Sequence, residues 1–263
     1  MDNKLNLLIF SPTDTTAKTV RAIAHGINEN FSEYNITLPD NRNSEIIFNE
    51  NDVVIIGVPV YAGRVPALLS DYFTKIKGNH TLAIFVVVYG NRDYDDALLE
   101  LKNIFEERGF MGIAAGAFIG EHSYTNKVGT GRPDQADLEL ARNFGIKIRE
   151  KLTQLKDHPG TETAALAVKG NYPYKERTSM PPTKPETSDQ CISCGICAEN
   201  CPTGAIDMKD YSEVDAAKCI RCCSCVKKCP VDAKAYNHEL VQKITQNLIE
   251  KFSMVRHEPE LFI

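Results

Sequence analysis

The sequence has no tryptophan, and its first 190 residues contain no cysteine. Long apolar runs are also missing: LAIFVVVY at 82–89 falls far short of the roughly 20 residues a helix needs to cross a bilayer. LNLLIF at 5–10 is too short and too poorly flanked for a secretory signal. There is no basic excess; a net charge of −5 argues against a general nucleic-acid binder. Two phosphate-binding patterns, G-x-x-x-x-G-K-[ST] and G-x-G-x-x-G, do not occur, which sets aside a nucleotide-hydrolysing loop and the usual dinucleotide fingerprint. What remains is a chain of globular composition, 43% hydrophobic and 25% charged, expected in the cytoplasm with neither a membrane nor a nucleic acid as partner. Its 263 residues have room for one mid-sized domain and a small one.

All nine cysteines lie between 191 and 229. A disulfide framework would spread them over many loops, so crowding at ligand spacing in a cytosolic chain points to a metal. CISCGICAENCPTGAI starts at Cys191 and CIRCCSCVKKCPVDAK at Cys219, 28 positions later; both fit C-x-x-C-x-x-C-x-x-x-C-P. Three thiolates so spaced wrap one face of a cubic iron–sulfur cluster, and a fourth ligand comes from elsewhere. Zinc sites pair shorter knuckles across a spacer, a layout that two quartets closed by Cys-Pro do not fit. From about 188 to 238 the chain resembles a bacterial-type 2[4Fe–4S] ferredoxin. The resemblance implies Cys191, Cys194, Cys197 and Cys229 as ligands of one cluster, and Cys219, Cys222, Cys225 and Cys201 as ligands of the other. The ninth cysteine, Cys223, takes the slot of Gly195 and reads as a small filler turned away from the cluster. Lys218, Arg221, Lys227 and Lys228 flank the second run, Asp189 and Glu199 the first. Positive neighbours favour an added electron, so the cluster of Cys219 is expected to have the higher potential.

The first 155 residues alternate strand-like and helix-like stretches. Leu5–Phe10, Val53–Val58, Leu82–Val88 and Ile113–Ile119 are short apolar runs of the kind that form buried parallel strands. A weaker strand is expected at either Tyr34–Leu38 or Ile46–Phe48. Helical stripes run through Val20, Ile23, Ala24, Ile27 and Phe31; Leu69, Tyr72, Phe73 and Ile76; Ala97, Leu101, Ile104 and Phe105; and Leu138, Ala141, Phe144, Gly145 and Ile148. Pro66 and Pro133 stand where helices begin. The alternation predicts a parallel sheet covered on both faces.

FSPTDTTAKTV (10–20) joins the first strand to the first helix, with Ser11, Thr13, Thr15 and Thr16 beside helix N-terminal amides. That is either an anion site or ordinary capping by Thr13 or Asp14. GVPVYAGRVP (57–66) supplies Pro59, Tyr61 and Gly63, and VYGNRDYDDA (88–97) supplies Tyr89, Gly90, Asn91 and Arg92. GEHSYTNKVGTGRPD (120–134) follows the last strand, where His122, Ser123 and Tyr124 either reach a bound ligand or form a surface loop.

Over residues 4–155 these loops resemble those of flavodoxins, whose phosphate loop typically reads S/T-x-T-G-x-T. The chain departs from that pattern at Pro12, which removes an N–H, and at Asp14, which stands in place of glycine. The resemblance implies a doubly wound five-stranded parallel sheet with FMN at its switch point, held by Ser11, Thr13, Asp14, Thr15 and Thr16 and by the Pro59, Tyr61, Gly63 and Tyr89–Arg92 loops. As a whole the chain resembles the flavodoxin–ferredoxin fusion proteins of anaerobic bacteria.

The expected organisation is an FMN-binding α/β domain over 1–156, a linker over 157–187, and a small α+β ferredoxin domain with a C-terminal helix over 188–263. The function expected first is electron transfer between FMN, two [4Fe–4S] clusters and redox partner proteins. A flavin-dependent oxidoreductase using His122 and an iron–sulfur redox sensor stand as alternatives.

Overall fold

The structure, a computed structural model, describes residues 4–158, 165–177 and 180–263. In chain order the elements are β1 (Lys4–Ile9), α1 (Thr15–Ile27), β2 (Phe31–Asn35), β3 (Ile46–Phe48), β4 (Asp52–Pro59), α2 (Ser70–Phe73), β5 (Ile76–Gly78), β6 (Thr81–Tyr89), α3 (Ala97–Glu106), β7 (Phe110–Ile119) and α4 (Gln135–Asp157). There follow β8 (Glu186–Thr187), α5 (Ile196–Glu199), α6 (Ser224–Lys227), β9 (Lys234–Ala235), α7 (Glu239–Phe252) and β10 (Glu260–Phe262).

Alternation along the strands places the core. In β1, Leu7 and Ile9 face α1 and α4 while Leu8 and Phe10 face the side of α2 and α3; Val53 and Ile55 against Val54 and Ile56 repeat the division in β4. Both faces are therefore apolar, as a sheet covered by helices on two sides requires. The parallel strands run in the order β2-β1-β4-β6-β7, with β10 added antiparallel beyond β7. Reading the five parallel strands in sequence, the order is 2-1-3-4-5, that of the flavodoxin-like fold.

The weaker strand resolves into two. Phe31–Asn35 joins the main sheet, while Ile46–Phe48 pairs with Ile76–Gly78 in a separate two-stranded sheet. Ile76, read from periodicity as helical, is thus in a strand, and the helical stripe before it shrinks to a 3₁₀ turn at Ala67–Leu69 and the single turn of α2. Burial of the same side chains satisfies either assignment, so periodicity alone did not separate them.

Asp134 caps α4 in a capping box with Asp137. The helices α1 and α4 meet where Gly26 faces Gly145, and a Cβ on Gly145 would fall 2.1 Å from the carbonyl of Ile23. The stretch expected to be linker is packed where it is described. Leu166 and Val168 lie on the core, and the amides of Asn171 and Lys175 donate to the buried Asp96 carboxylate at 2.8 and 2.6 Å. Arg177 joins Arg64 on the buried Glu100. Pro159 and the rest of 159–164 and 178–179 lie outside the described residues.

After α7 the chain returns to the first sheet, where Glu260 pairs with Ala117 and Phe262 with Ala115. Among the described residues no helix is long and apolar enough to cross a membrane.

Substitution at the helix contact has a definite sign. Alanine would improve helix propensity at position 145 by about 1 kcal/mol, but a Cβ driven into backbone costs about 1–3 kcal/mol or more. Gly145→Ala is expected to lower the denaturant midpoint without changing the slope; an unchanged or higher midpoint in urea unfolding would contradict the contact.

Candidate functional site

Four loops and a wall from the C-terminal region enclose a cavity at the carboxyl ends of β1, β4, β6 and β7, with an empty volume of about 1280 Å³ including its solvent-open part. The first loop is built by Ser11. Its N–H donates to Thr37 Oγ1 at 2.8 Å, and its Oγ accepts from the Ala17 amide at 3.0 Å. Ser11 thus does the capping, and Asp14 at the N-cap position makes no side-chain cap bond.

Asp14 has φ of 65°, the left-handed conformation that favours glycine. Its carboxylate pairs with Lys228 at 3.2 Å and so turns from the loop toward the C-terminal region. Thr13 and Thr15 border the cavity with their hydroxyl oxygens 3.5 Å apart. Thr16 Oγ1 is buried with no hydrogen-bond partner. Together with first-turn amides, which have no intrahelical acceptor, these groups fit a phosphate.

The second loop is a tight hairpin closed by reciprocal backbone bonds between Tyr61 and Arg64. Its Gly63 has φ of 82°, and a Cβ there would fall 2.1 Å from Asp95 Oδ2. Pro59, Tyr61 and Gly63 all border the cavity, as do Tyr89, Gly90 and Arg92 from the third loop. Tyr89 also packs its ring 5.6 Å from that of Tyr94, and burial pushes its hydroxyl up to about 12. Arg92 pairs with Asp95.

Asn91 is placed differently from expectation. It is fully buried, and its amide donates to the carbonyls of Phe252 and Val255 at 3.3 and 2.7 Å. Its Oδ1 accepts from the His257 amide at 3.3 Å. The residue fastens the C-terminal segment instead of facing the cavity. From the loop after β7, His122 lies so close to Gly90 that a Cβ there would be 2.5 Å from its Cδ2. His122 Nδ1 accepts from the Tyr124 amide at 3.1 Å, which leaves the ring proton of a neutral imidazole on Nε2.

The wall from the C-terminal region escaped sequence reading: Ile220, Arg221 and Cys222 of the second cysteine run, and Ile244 and Leu248 of α7. The only sign of it in the sequence was an apolar stripe on α7, which says that a surface is covered but not by what.

The cysteines gather into two sets. Cys201, Cys219, Cys222 and Cys225 ring one small cavity; Cys191, Cys194, Cys197 and Cys229 ring another, each with about 320 Å³ of empty volume. Each set draws three residues from one run and the fourth from the other. The thiols of each set stand around these spaces. Burial pushes the Cys222 and Cys225 thiols up to about 12, so a bound cation must supply the charge that makes them thiolates. The donor set therefore fits an iron–sulfur cluster.

The two halves repeat in the backbone. Ser193 and Arg221, Gly195 and Cys223, and Gly204 and Asp232 are left-handed pairs at the same 28-residue offset as the runs. Cys223 is 2% exposed and its thiol is pushed well up, first by burial; it borders the Cys219 cavity and does not turn wholly away from it.

Ionic and hydrogen-bonded contacts press this region onto the first domain. Ser224 Oγ donates to the Pro12 carbonyl at 2.8 Å, Arg42 donates to the Pro202 carbonyl at 2.6 Å, and Lys227 pairs with Glu121 at 2.5 Å.

Residues 190–233 match the family described as the 4Fe-4S dicluster domain. No curated protein matches the chain. Among solved structures, a flavodoxin from the domain Archaea is 14% identical, covering 57% of this chain and 99% of that one at a TM-score of 0.40. Flavodoxin 1 of Bacillus cereus is 18% identical over 56% of this chain and 98% of its own, with a TM-score of 0.39. A Fusobacterium nucleatum flavodoxin bound to flavin mononucleotide is 16% identical over 59% and 97%, with a TM-score of 0.37. The fold rests on the strand order, not on these overlaps. With that order in the first domain and the dicluster match in the second, the chain is a fusion of a flavodoxin-like α/β fold with a 4Fe–4S dicluster domain.

Proposed function

We propose that the chain holds FMN in the large cavity and a [4Fe–4S] cluster in each thiol-ringed cavity, and that electrons pass among the three and on to redox partner proteins. FMN exchanges electrons singly or in pairs, and each cluster carries one. One observation carries this reading: Cys222 belongs to the wall of both the large cavity and the Cys219 cavity. A cluster ligand and the flavin pocket thus share a side chain.

Thr13, Thr15 and Thr16 with the first-turn amides of α1 would take the phosphate, whose charge the helix N-terminus favours. Pro59, Tyr61, Gly63, Tyr89, Gly90 and Arg92 would border the ring, with Ile220, Ile244 and Leu248 excluding water from the other side. Ser11 and Asp14 act through the loop: one caps α1, the other ties the loop to Lys228. Keeping all centres on one chain replaces a collision by an intramolecular encounter. His122 borders the same cavity, so a flavin-dependent oxidoreductase is the second reading. In that case His122→Ala would abolish turnover with one substrate while both cofactors stayed bound.

Anaerobically purified protein is expected to carry about one flavin and about eight irons. After flash reduction of the flavin, electrons should redistribute to the clusters in a first-order phase whose rate does not depend on protein concentration. A rate proportional to concentration would contradict a shared wall.

His122 gives a pH signature. Burial first, then the charges of Lys227 and Arg92, lower it to about 4, below the roughly 6.5 of an unfolded histidine. Between those values the unfolded chain binds the extra proton, so stability rises with pH through this window and falls as pH drops below about 6.5. Wild type should lose about 1–2 kcal/mol more than His122→Gln between pH 7 and about pH 5.5 in thermal or urea unfolding. Equal losses would mean that the imidazole is not held neutral.

A further inference from the structure

The two cysteine repeats are related closely enough that one can be subtracted from the other. The Ala205 amide donates to Cys201 Sγ at 3.2 Å, and 28 positions on the Ala233 amide donates to Cys229 Sγ at 3.2 Å. These bonds cancel between the repeats. Two side-chain hydroxyls do not. Tyr236 Oη lies 3.0 Å from Cys219 Sγ, and its counterpart in the first repeat is Met208, a residue with no donor and 60% exposed. Thr203 Oγ1 lies 3.6 Å from Cys201 Sγ, a weaker contact, and its counterpart is Val231. Both sulfurs belong to the set beside the large cavity. A metal-bound cysteine has no proton to give, so the tyrosine must be the donor.

Charge offered another lever between the clusters, but the structure weakens it for three of the four flanking cations, Arg221 being the fourth. Lys218 pairs with Asp215 at 3.6 Å, Lys227 with Glu121, and Lys228 with Asp14. Each lysine therefore acts as half of an ion pair, whose field falls off faster than that of a lone charge and is screened further by salt. A hydrogen bond made directly to a ligand sulfur has no such compensation.

We infer that Tyr236 is a positioning residue that separates the potentials of the two clusters, raising the one beside the flavin cavity through its hydrogen bond to Cys219 Sγ. The inference rests on the proposed function, in that both thiol sets hold clusters. Donation to a ligand sulfur stabilises the reduced cluster, which carries one more negative charge, and so raises its potential. The consequence is a direction. In the other set Cys194 is exposed. An electron that a donor lost to the cluster held by Cys194 would have its lower free energy on the cluster held by Cys219, which would accept it beside the large cavity.

The test is a redox titration of the full-length holoprotein, followed by electron paramagnetic resonance that resolves the two clusters. Wild type should show two separated midpoints. In Tyr236→Phe the higher midpoint should fall by about 59 mV, a tenfold change in the one-electron equilibrium between the clusters, while the lower one stays. Thr203→Val should move the same midpoint the same way by less, and keeps the inference testable if Tyr236→Phe assembles poorly. Full iron with both midpoints unmoved, or with the lower one shifted, would overturn the role of Tyr236 alone. Iron and sulfide analysis of the same samples separates that outcome from failure of the two-cluster reading, in which wild type binds fewer than about eight irons and this inference falls with it.

Discussion

The hydrogen bond from Ser224 Oγ to the carbonyl of Pro12 is the contact on which the arrangement turns. It joins the start of α6, between two cluster-set cysteines, to the loop that leads into α1. Ser224 is 1% exposed and its hydroxyl also lies 3.2 Å from the Asn200 carbonyl, so losing the bond would strand the carbonyl of the buried Pro12, at a cost of about 1–3 kcal/mol. The exposed pair between Asp14 and Lys228 contributes less, about 1 kcal/mol at most. The buried bond therefore sets the position, and the ion pairs around it set the orientation. Pro12 and Asp14, the two departures from the flavodoxin pattern, thus both serve this docking. Pro12 gives up an N–H but offers its carbonyl outward, and Asp14 keeps the glycine-like backbone while sending its charge away.

The small domain could not hold such a position by packing alone. Its own cluster of buried residues is short: Cys197, Ala198, Ala205, Ile206, Val214 and Cys225. Two of those six are cysteines of the ligand sets. A core this small is normally completed by metal, and the left-handed positions repeated at Gly195 and Cys223 bend the chain around each cavity before each short helix. Cys223 tolerates a backbone that glycine adopts freely, a cost of about 1–2 kcal/mol, and its side chain fills space beside the Cys219 cavity.

Legibility from the sequence followed the range of the interactions involved. The strands β1, β4, β6 and β7 are apolar on both faces, and the helices α1, α3 and α4 carry a single stripe, so local pattern sufficed. The two cysteine runs were legible because their spacing is local, whereas the exchange of the fourth cysteine between them came only from the resemblance to ferredoxins. Asn91 was misread because its partners, Phe252, Val255 and His257, lie more than 160 positions away. The wall of Ile220, Ile244 and Leu248 and the strand β10 were missed for the same reason, since three residues ending a chain have no periodicity to read. Ile76 was assigned to a helix because one buried side chain at the right spacing fits strand and helix equally.

The strand β10 has one more consequence. By pairing with β7 it returns the end of the chain to the sheet where the chain began, and Asn91 and Arg132 hold the segment before it through the carbonyls of Val255 and His257. The cysteine-bearing module is thereby stitched in at both margins, with the packed segment 165–177 on one side and a zipped edge on the other. It is held like a keystone, not hung like a pendant, and swinging out to meet a distant partner would require unpicking the sheet itself.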